Sequence, residues 1–241
     1  AENTAVGFKA LVANTTGSKN AAFGNYALCT NTTGGCNVAM GCVSLLSNTA
    51  GNYNSAIGIG ALQNNTTASQ NLATGYRSLY TNTTGSYNTA SGAQSLYSNT
   101  SGIYNTMIGR DAGYHNTTGS CNSVLGAAAL LCNTSGGFNV ALGRAALISN
   151  TTANNNTALG ACSLYANTTG ADNTAVGYRA LKANTTACYN TAVGGCALYS
   201  NTTGTHNVAV GMQALLCQDS GVANTGIGGS ALMCNTASNN T

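Results

Sequence analysis

Asn173 to Tyr189 reads NTAVGYRALKANTTACY, and the stretch that follows, Asn190 to His206, reads NTAVGGCALYSNTTGTH. The two align residue for residue at a spacing of 17. Their opening asparagine recurs at Asn3, Asn20, Asn37, Asn54, Asn71, Asn88, Asn105, Asn122, Asn139, Asn156, Asn207 and Asn224, giving fourteen repeats without an insertion or deletion. The consensus is NTAVGxxALxxNTTGxx. A repeat this short cannot bury a core of its own, so an unbroken period means that each repeat is one coil of a solenoid. Helical repeats take two helices and roughly thirty or more residues, whereas 17 residues with two glycines hold two short strands and two turns. The chain is therefore expected to be all-β, a parallel β-solenoid over residues 1–241 as a single domain, phased at Asn3.

Numbering each coil from that asparagine, residues at the same position stack at about the 4.8 Å strand spacing. Position five is Gly in all fourteen coils, which predicts a turn of positive φ or a close backbone approach. Position fifteen is Gly except at Ala68, Ala153, Ala187 and Ser238, a more tolerant corner. Position four, from Val6 to Ile227, is aliphatic or aromatic apart from Thr74 and Ser91, and reads as an inward ladder. Position nine is Leu from Leu11 to Leu232 apart from Gly113, and reads as a second inward ladder. Position ten adjoins that leucine and must point the other way. It holds Leu46, Tyr80, Tyr97, Tyr114, Leu131, Ile148, Tyr165, Tyr199, Leu216 and Met233, with Gln63 and Lys182 the polar exceptions. Fourteen coils would rise roughly 67 Å at this spacing, leaving an apolar stripe larger than the few hundred Å² usual on a monomer. These ten residues are the candidate oligomer interface.

Composition narrows the function. Charged residues are 5% of the chain, and seven bases against four acids leave a net charge of +3, too little for a nucleic-acid or anionic-membrane surface. No apolar run approaches the ~18 residues of a membrane span. A hydrophobic fraction of 43% placed at regular intervals argues against disorder. The acids are Glu2, Asp111, Asp172 and Asp219, in different coils and columns. Asp111 and Asp172 would lie roughly 14 Å apart along the axis, beyond the ~5–9.5 Å of a glycosidase carboxylate pair. His115 and His206 stand alone, no repeat carries a GGxGxD calcium signature, and GIGALQ at Gly58 to Gln63 lacks the third glycine of a dinucleotide loop. No catalytic residue, metal site or cofactor site is expected.

Ten cysteines occupy six columns, and only Cys217 and Cys234 share one in adjacent coils. A spacing of about 4.8 Å lies within the Cα range of a disulfide, so this pair is the disulfide candidate. An even count in so charge-poor a chain favours an oxidising, extracellular setting.

The phrase NTTG has three readings. Asn14, Asn31, Asn82, Asn116, Asn150, Asn167, Asn184 and Asn201 are candidate N-glycosylation sites, and Asn65, Asn99 and Asn133 also satisfy the pattern. At ~4.8 Å apart, at most a subset has room for a glycan. The structural alternative is an amide ladder of stacked asparagines along the axis. The third reading, ice binding, needs a flat Thr array. Thr15 and Thr16 are consecutive and would face opposite ways, and the Thr column at position two is diluted by Val38, Leu72, Val140 and Val208.

The phrases NTAVGYRA (Asn173 to Ala180) and NTAVGGCA (Asn190 to Ala197) resemble the NSVAIGxxS/A repeat of trimeric autotransporter adhesin heads, the YadA-like family. The longer form with ALxxNTTG also resembles repeats of phage tail-fibre proteins. The resemblance covers all fourteen repeats, although the family coil is usually shorter and no neck, stalk or anchor accompanies it here. It implies a left-handed β-roll with two short strands per coil and three chains side by side. It also makes position ten and the small position three candidates for packing between chains. The expectation is a non-enzymatic shaft or head of an extracellular fibre, on a cell surface or virion. Its partner would be itself, as a homotrimer, and its target a host surface or glycan, with no nucleic acid and no membrane insertion. The sequence starts and stops within a coil and shows no polar cap, which fits an excised piece of a longer array or head-to-tail stacking. The alternatives are an ice-binding solenoid and a glycosylated surface-layer or sheath protein.

Overall fold

The computed structural model describes residues 2–241 and divides into two units, Ala1–Cys121 and Asn122–Thr241. The first carries β1 (Thr4–Val6), β2 (Ala21–Phe23), β3 (Val38–Met40), β4 (Ser55–Ile57), β5 (Leu72–Thr74), β6 (Thr89–Ser91) and β7 (Thr106–Ile108). The second carries β8 (Ser123–Leu125), β9 (Val140–Leu142), β10 (Thr157–Leu159), β11 (Thr174–Val176), β12 (Thr191–Val193), β13 (Val208–Val210) and β14 (Thr225–Ile227). Within each unit every strand pairs in parallel with the next at an offset of one coil, as Thr4 with Ala21 and Thr174 with Thr191. The fold is thus an all-β parallel solenoid of 17-residue coils, with no helix among the described residues.

Each coil holds one strand, at positions two to four, where two were expected. The opposite side cannot be β because its backbone changes hand. Position nine has φ between +47° and +53° in its thirteen leucines, and position seven is left-handed as well, as at Arg179 (φ 57°). A left-handed residue other than glycine costs of order 1–2 kcal/mol. Two gains offset that cost. The Leu181 N–H donates to the Ala197 carbonyl of the next coil at 3.0 Å, and its side chain is fully buried, a gain of about 1.5–3 kcal/mol.

The two inward ladders are not the two predicted. Position nine points inward, but position four faces out: Val6, Phe23, Met40, Ile57, Ile108, Leu125, Leu142, Val210 and Ile227 are all exposed. Position three lies inside instead, with Ala22, Ala39, Ala56, Ala175 and Ala192 fully buried, so it is not a surface for packing between chains. The reason is volume. Where position nine is Gly113, a Cβ built on it would meet the Met107 Sδ at 2.9 Å, Met107 being the position-three residue of the same coil. The space is limited, so a leucine on one side faces a small residue on the other, most often alanine, with Val124 and Leu130 the bulkiest such pair. Position eight, as at Ala27, Ser44 and Ala180, completes the core with further small residues.

Position five does take positive φ, between +120° and +148° in the fourteen glycines. A Cβ on Gly24 would lie 2.5 Å from the Gly41 carbonyl oxygen, so both conformation and close approach require glycine.

Candidate interaction surface

The NTTG corner is held from inside the coil. The Asn31 Nδ2 donates to the Oδ1 of Asn14 one coil back at 3.0 Å and to the Gly34 carbonyl at 2.9 Å. The same carbonyl accepts the Nδ2 of Asn20, from position one, at 2.8 Å. The Asn20 Oδ1 in turn accepts the Asn37 backbone N–H at 3.0 Å. Two asparagine columns therefore converge on one carbonyl and fill both its lone pairs, which is why each coil carries both. The second unit repeats the arrangement, with Asn167 on Asn150 and Gly170, and Asn156 on Gly170. A buried amide costs free energy only when its bonds go unmade, and here they are made.

This geometry answers the glycosylation reading. Asn31, Asn65, Asn82, Asn99, Asn116, Asn133, Asn150, Asn167, Asn184 and Asn201 are fully buried. Asn14 is half-buried, with its Nδ2 on the Gly17 carbonyl. A sugar on a buried nitrogen of this column would replace a hydrogen bonded inside the coil and place a glycan in the core, so the buried candidates are corrected to ladder residues. Asn155 and Asn239, each followed by Asn-Thr, are the exposed acceptor patterns that attention to the repeated phrase passes over. The position-thirteen threonines are committed too. Thr151 donates its hydroxyl to the Thr168 carbonyl at 3.1 Å and Thr168 to Thr185 at 3.0 Å. Their hydroxyls run along the stack rather than toward solvent.

The outer surface has three apolar features. Positions two and four form the outward face of the strand ladder and contain no charged residue in any coil. Position six adds exposed Phe8, Ile59, Tyr76, Tyr178 and Met212 beside it, with Arg110 and Arg144 the charged residues of that column. Position ten is outward, as its place beside the leucine predicts, but half-covered by its own column. Leu46, Tyr80, Tyr97, Tyr114, Leu131, Ile148, Tyr199, Leu216 and Met233 are of intermediate exposure, and Tyr165 is exposed. The Tyr80 and Tyr97 rings stack at 5.1 Å, and those of Tyr97 and Tyr114 at 4.9 Å. Lys182, a polar exception in this stripe, lays its Nζ 5.2 Å from the Tyr199 ring centroid and donates to the Tyr199 hydroxyl at 3.1 Å. In the last column Tyr53, Tyr87, Tyr104 and Tyr189 are exposed, with Tyr87 stacked on Tyr104 and Tyr189 on His206.

Chemistry-bearing groups stay dispersed. Asp111 pairs with its neighbour Arg110 at 3.1 Å, His115 meets Tyr114 edge-on, and Asp172 accepts a bond from Asn155. Among the described residues no three His, Cys, Asp or Glu side chains gather as a metal site would require. Cys217 and Cys234 are brought together, their Sγ atoms 3.3 Å apart and both thiols free. Compared with known proteins, the chain matches no family model, no curated protein and no solved structure.

Proposed function

We propose that this chain is a non-enzymatic structural protein, a rigid repeat that associates side by side with copies of itself to form the shaft or head of an extracellular fibre. One observation carries the reading: position four, apolar in every coil but those of Thr74 and Ser91, faces out, exposed in nine coils and half-buried in the others, and neither it nor position two carries charge. Seven coils at ~4.8 Å make that face about 30 Å long in each unit, with its two columns about 7 Å apart. Together with the position-six side chains beside it, this reaches the size at which exposed apolar patches mark interaction sites.

A trimer suits the surface better than a dimer. A two-fold interface uses one self-complementary patch, whereas a cyclic trimer brings two different patches of each chain together. The strand face and the position-ten stripe are two such patches, so the interface extends beyond the ten residues of position ten to include positions two and four. Contact with a host surface or glycan would then come from repetition, since weak contacts recurring in every coil add as avidity. The exposed tyrosines of the last column are the residues for that contact.

Sedimentation or native mass measurement tests the association. The wild type is expected to contain three chains per particle. Val176→Lys with Val193→Lys is expected to yield monomer with unchanged β content, because an outward lysine leaves the coil intact and buries charge only in the complex. A wild-type chain that stays monomeric at micromolar concentration overturns the proposal.

A further inference from the structure

We propose that Cys217 and Cys234 form a reversible disulfide that ties two neighbouring coils together where the interior amide ladder of the second unit is interrupted. Two independent observations meet here. The first is the thiol geometry: both side chains are exposed, their Sγ atoms lie 3.3 Å apart, and the Cys217 N–H donates to the Met233 carbonyl at 2.8 Å, fixing the spacing of the two coils. Adjacent coils put the Cα atoms at about the 4.8 Å strand spacing, inside the span a disulfide bridges. Closing the bond takes a small side-chain rotation. No other pair of the ten cysteines shares a column in adjacent coils.

The second observation is Gln218, next in sequence. It occupies position twelve, where asparagines carry the ladder from Asn133 to Asn201. Its extra methylene shifts the amide out of register. The Nε2 still reaches the Gly221 carbonyl at 2.7 Å, but Gln218 Oε1 and Asn201 Oδ1 are both buried without a partner. In the following coil Asn235 turns to the Ala237 carbonyl and the Asn224 Oδ1 instead. The position-twelve amide bond is therefore missing on both sides of Gln218, toward Asn201 and toward Asn235, while the position-one asparagines Asn207 and Asn224 stay bonded, and Cys217 and Cys234 each sit one residue from the gap.

The chemistry balances with a low-molecular-weight disulfide as oxidant. A thiolate of the pair attacks one sulfur of that disulfide, forming a mixed disulfide and releasing one small thiol. The second thiolate attacks the protein sulfur of the mixed disulfide, closing the bridge and releasing the other small thiol. Two protein thiols are oxidised, one small disulfide is reduced to two thiols, and the protons of the cysteines leave with them. The mutual hydrogen bond, then burial and the charge of Cys234, hold the Cys217 thiol above its ordinary range, as expected for two thiols this close.

Glutathione disulfide treatment, followed by alkylation of remaining thiols and peptide mapping, tests the bond. A Cys217–Cys234 linkage is expected, with the other eight cysteines alkylated. Closing a 17-residue loop should slow local-opening amide exchange over β14 and the turn after it about a hundredfold. Dithiothreitol should reverse the slowing, and Cys217→Ser should remove it while leaving exchange in β8 to β12 unchanged. Alkylation of both residues after oxidation, pairing of either with another cysteine, or a bond that leaves exchange unaltered would each overturn the proposal.

Discussion

Along β11 the backbone is extended, so Ala175 goes inside while Thr174 and Val176 go out; a few residues later Arg179 and Leu181 take left-handed φ and the large residue goes inside. One coil thus buries its smallest apolar side chain on the strand side and its largest on the other. The difference shows that hydrophobicity did not decide which residues are inside. Available volume did, with Leu181 claiming most of a narrow interior.

The contrast can be broken directly, and the largest effect belongs to the leucine side. Leu181→Ala should cost about 2–5 kcal/mol in denaturant unfolding, from lost transfer energy and the cavity left. Val176→Ser, an apolar deletion of similar kind on the strand face, should stay within about 0.5 kcal/mol for the isolated chain. Equal losses would mean that position four is not outward.

The natural exchange at Met107 and Gly113 sharpens the comparison. Met107→Ala leaves a void, and Gly113→Leu drives a side chain into the Met107 sulfur; each should destabilise by about 2 kcal/mol or more. The double variant restores the arrangement of the preceding coil, where Leu96 opposes Ala90, and should recover most of both losses. A double-mutant cycle with coupling near zero would mean that the two sites do not share one space.

The smallest effect concerns the polar interior. Gln218→Asn should return a donor to Asn201 Oδ1 and an acceptor to Asn235, raising stability by about 1 kcal/mol. Loss of stability on that change would show that the interrupted ladder is not a defect.

Much of this could be read from the residues. The period of 17 gave the coil, the glycine of position five gave its tight turn, and the leucine column gave one wall of the core. The amide ladder was one of three open readings of NTTG, and the spacing of Cys217 and Cys234 placed those thiols together. The strand face was misread because Ala175 looks too small, and Val176 too apolar, to be respectively inside and outside. The paired exceptions Met107 and Gly113 carried the missing signal, since both depart from consensus in the same coil. Buried Asn31 to Asn201 could not be told from surface sequons, because Asn-x-Thr reads alike whether its amide meets a sugar or the next asparagine.

What the sequence by itself determined is periodicity: identical residues must stack, so whatever one coil does its neighbours repeat. What only the tertiary structure decided is direction, which columns turn in and which turn out. That depends on backbone hand at Arg179 and Leu181, where φ is set by the bond from Leu181 to the next coil and by burial, against the local preference of both residues. Local sequence supplies a period, and only the closed coil supplies the volume that sorts Ala175 from Val176.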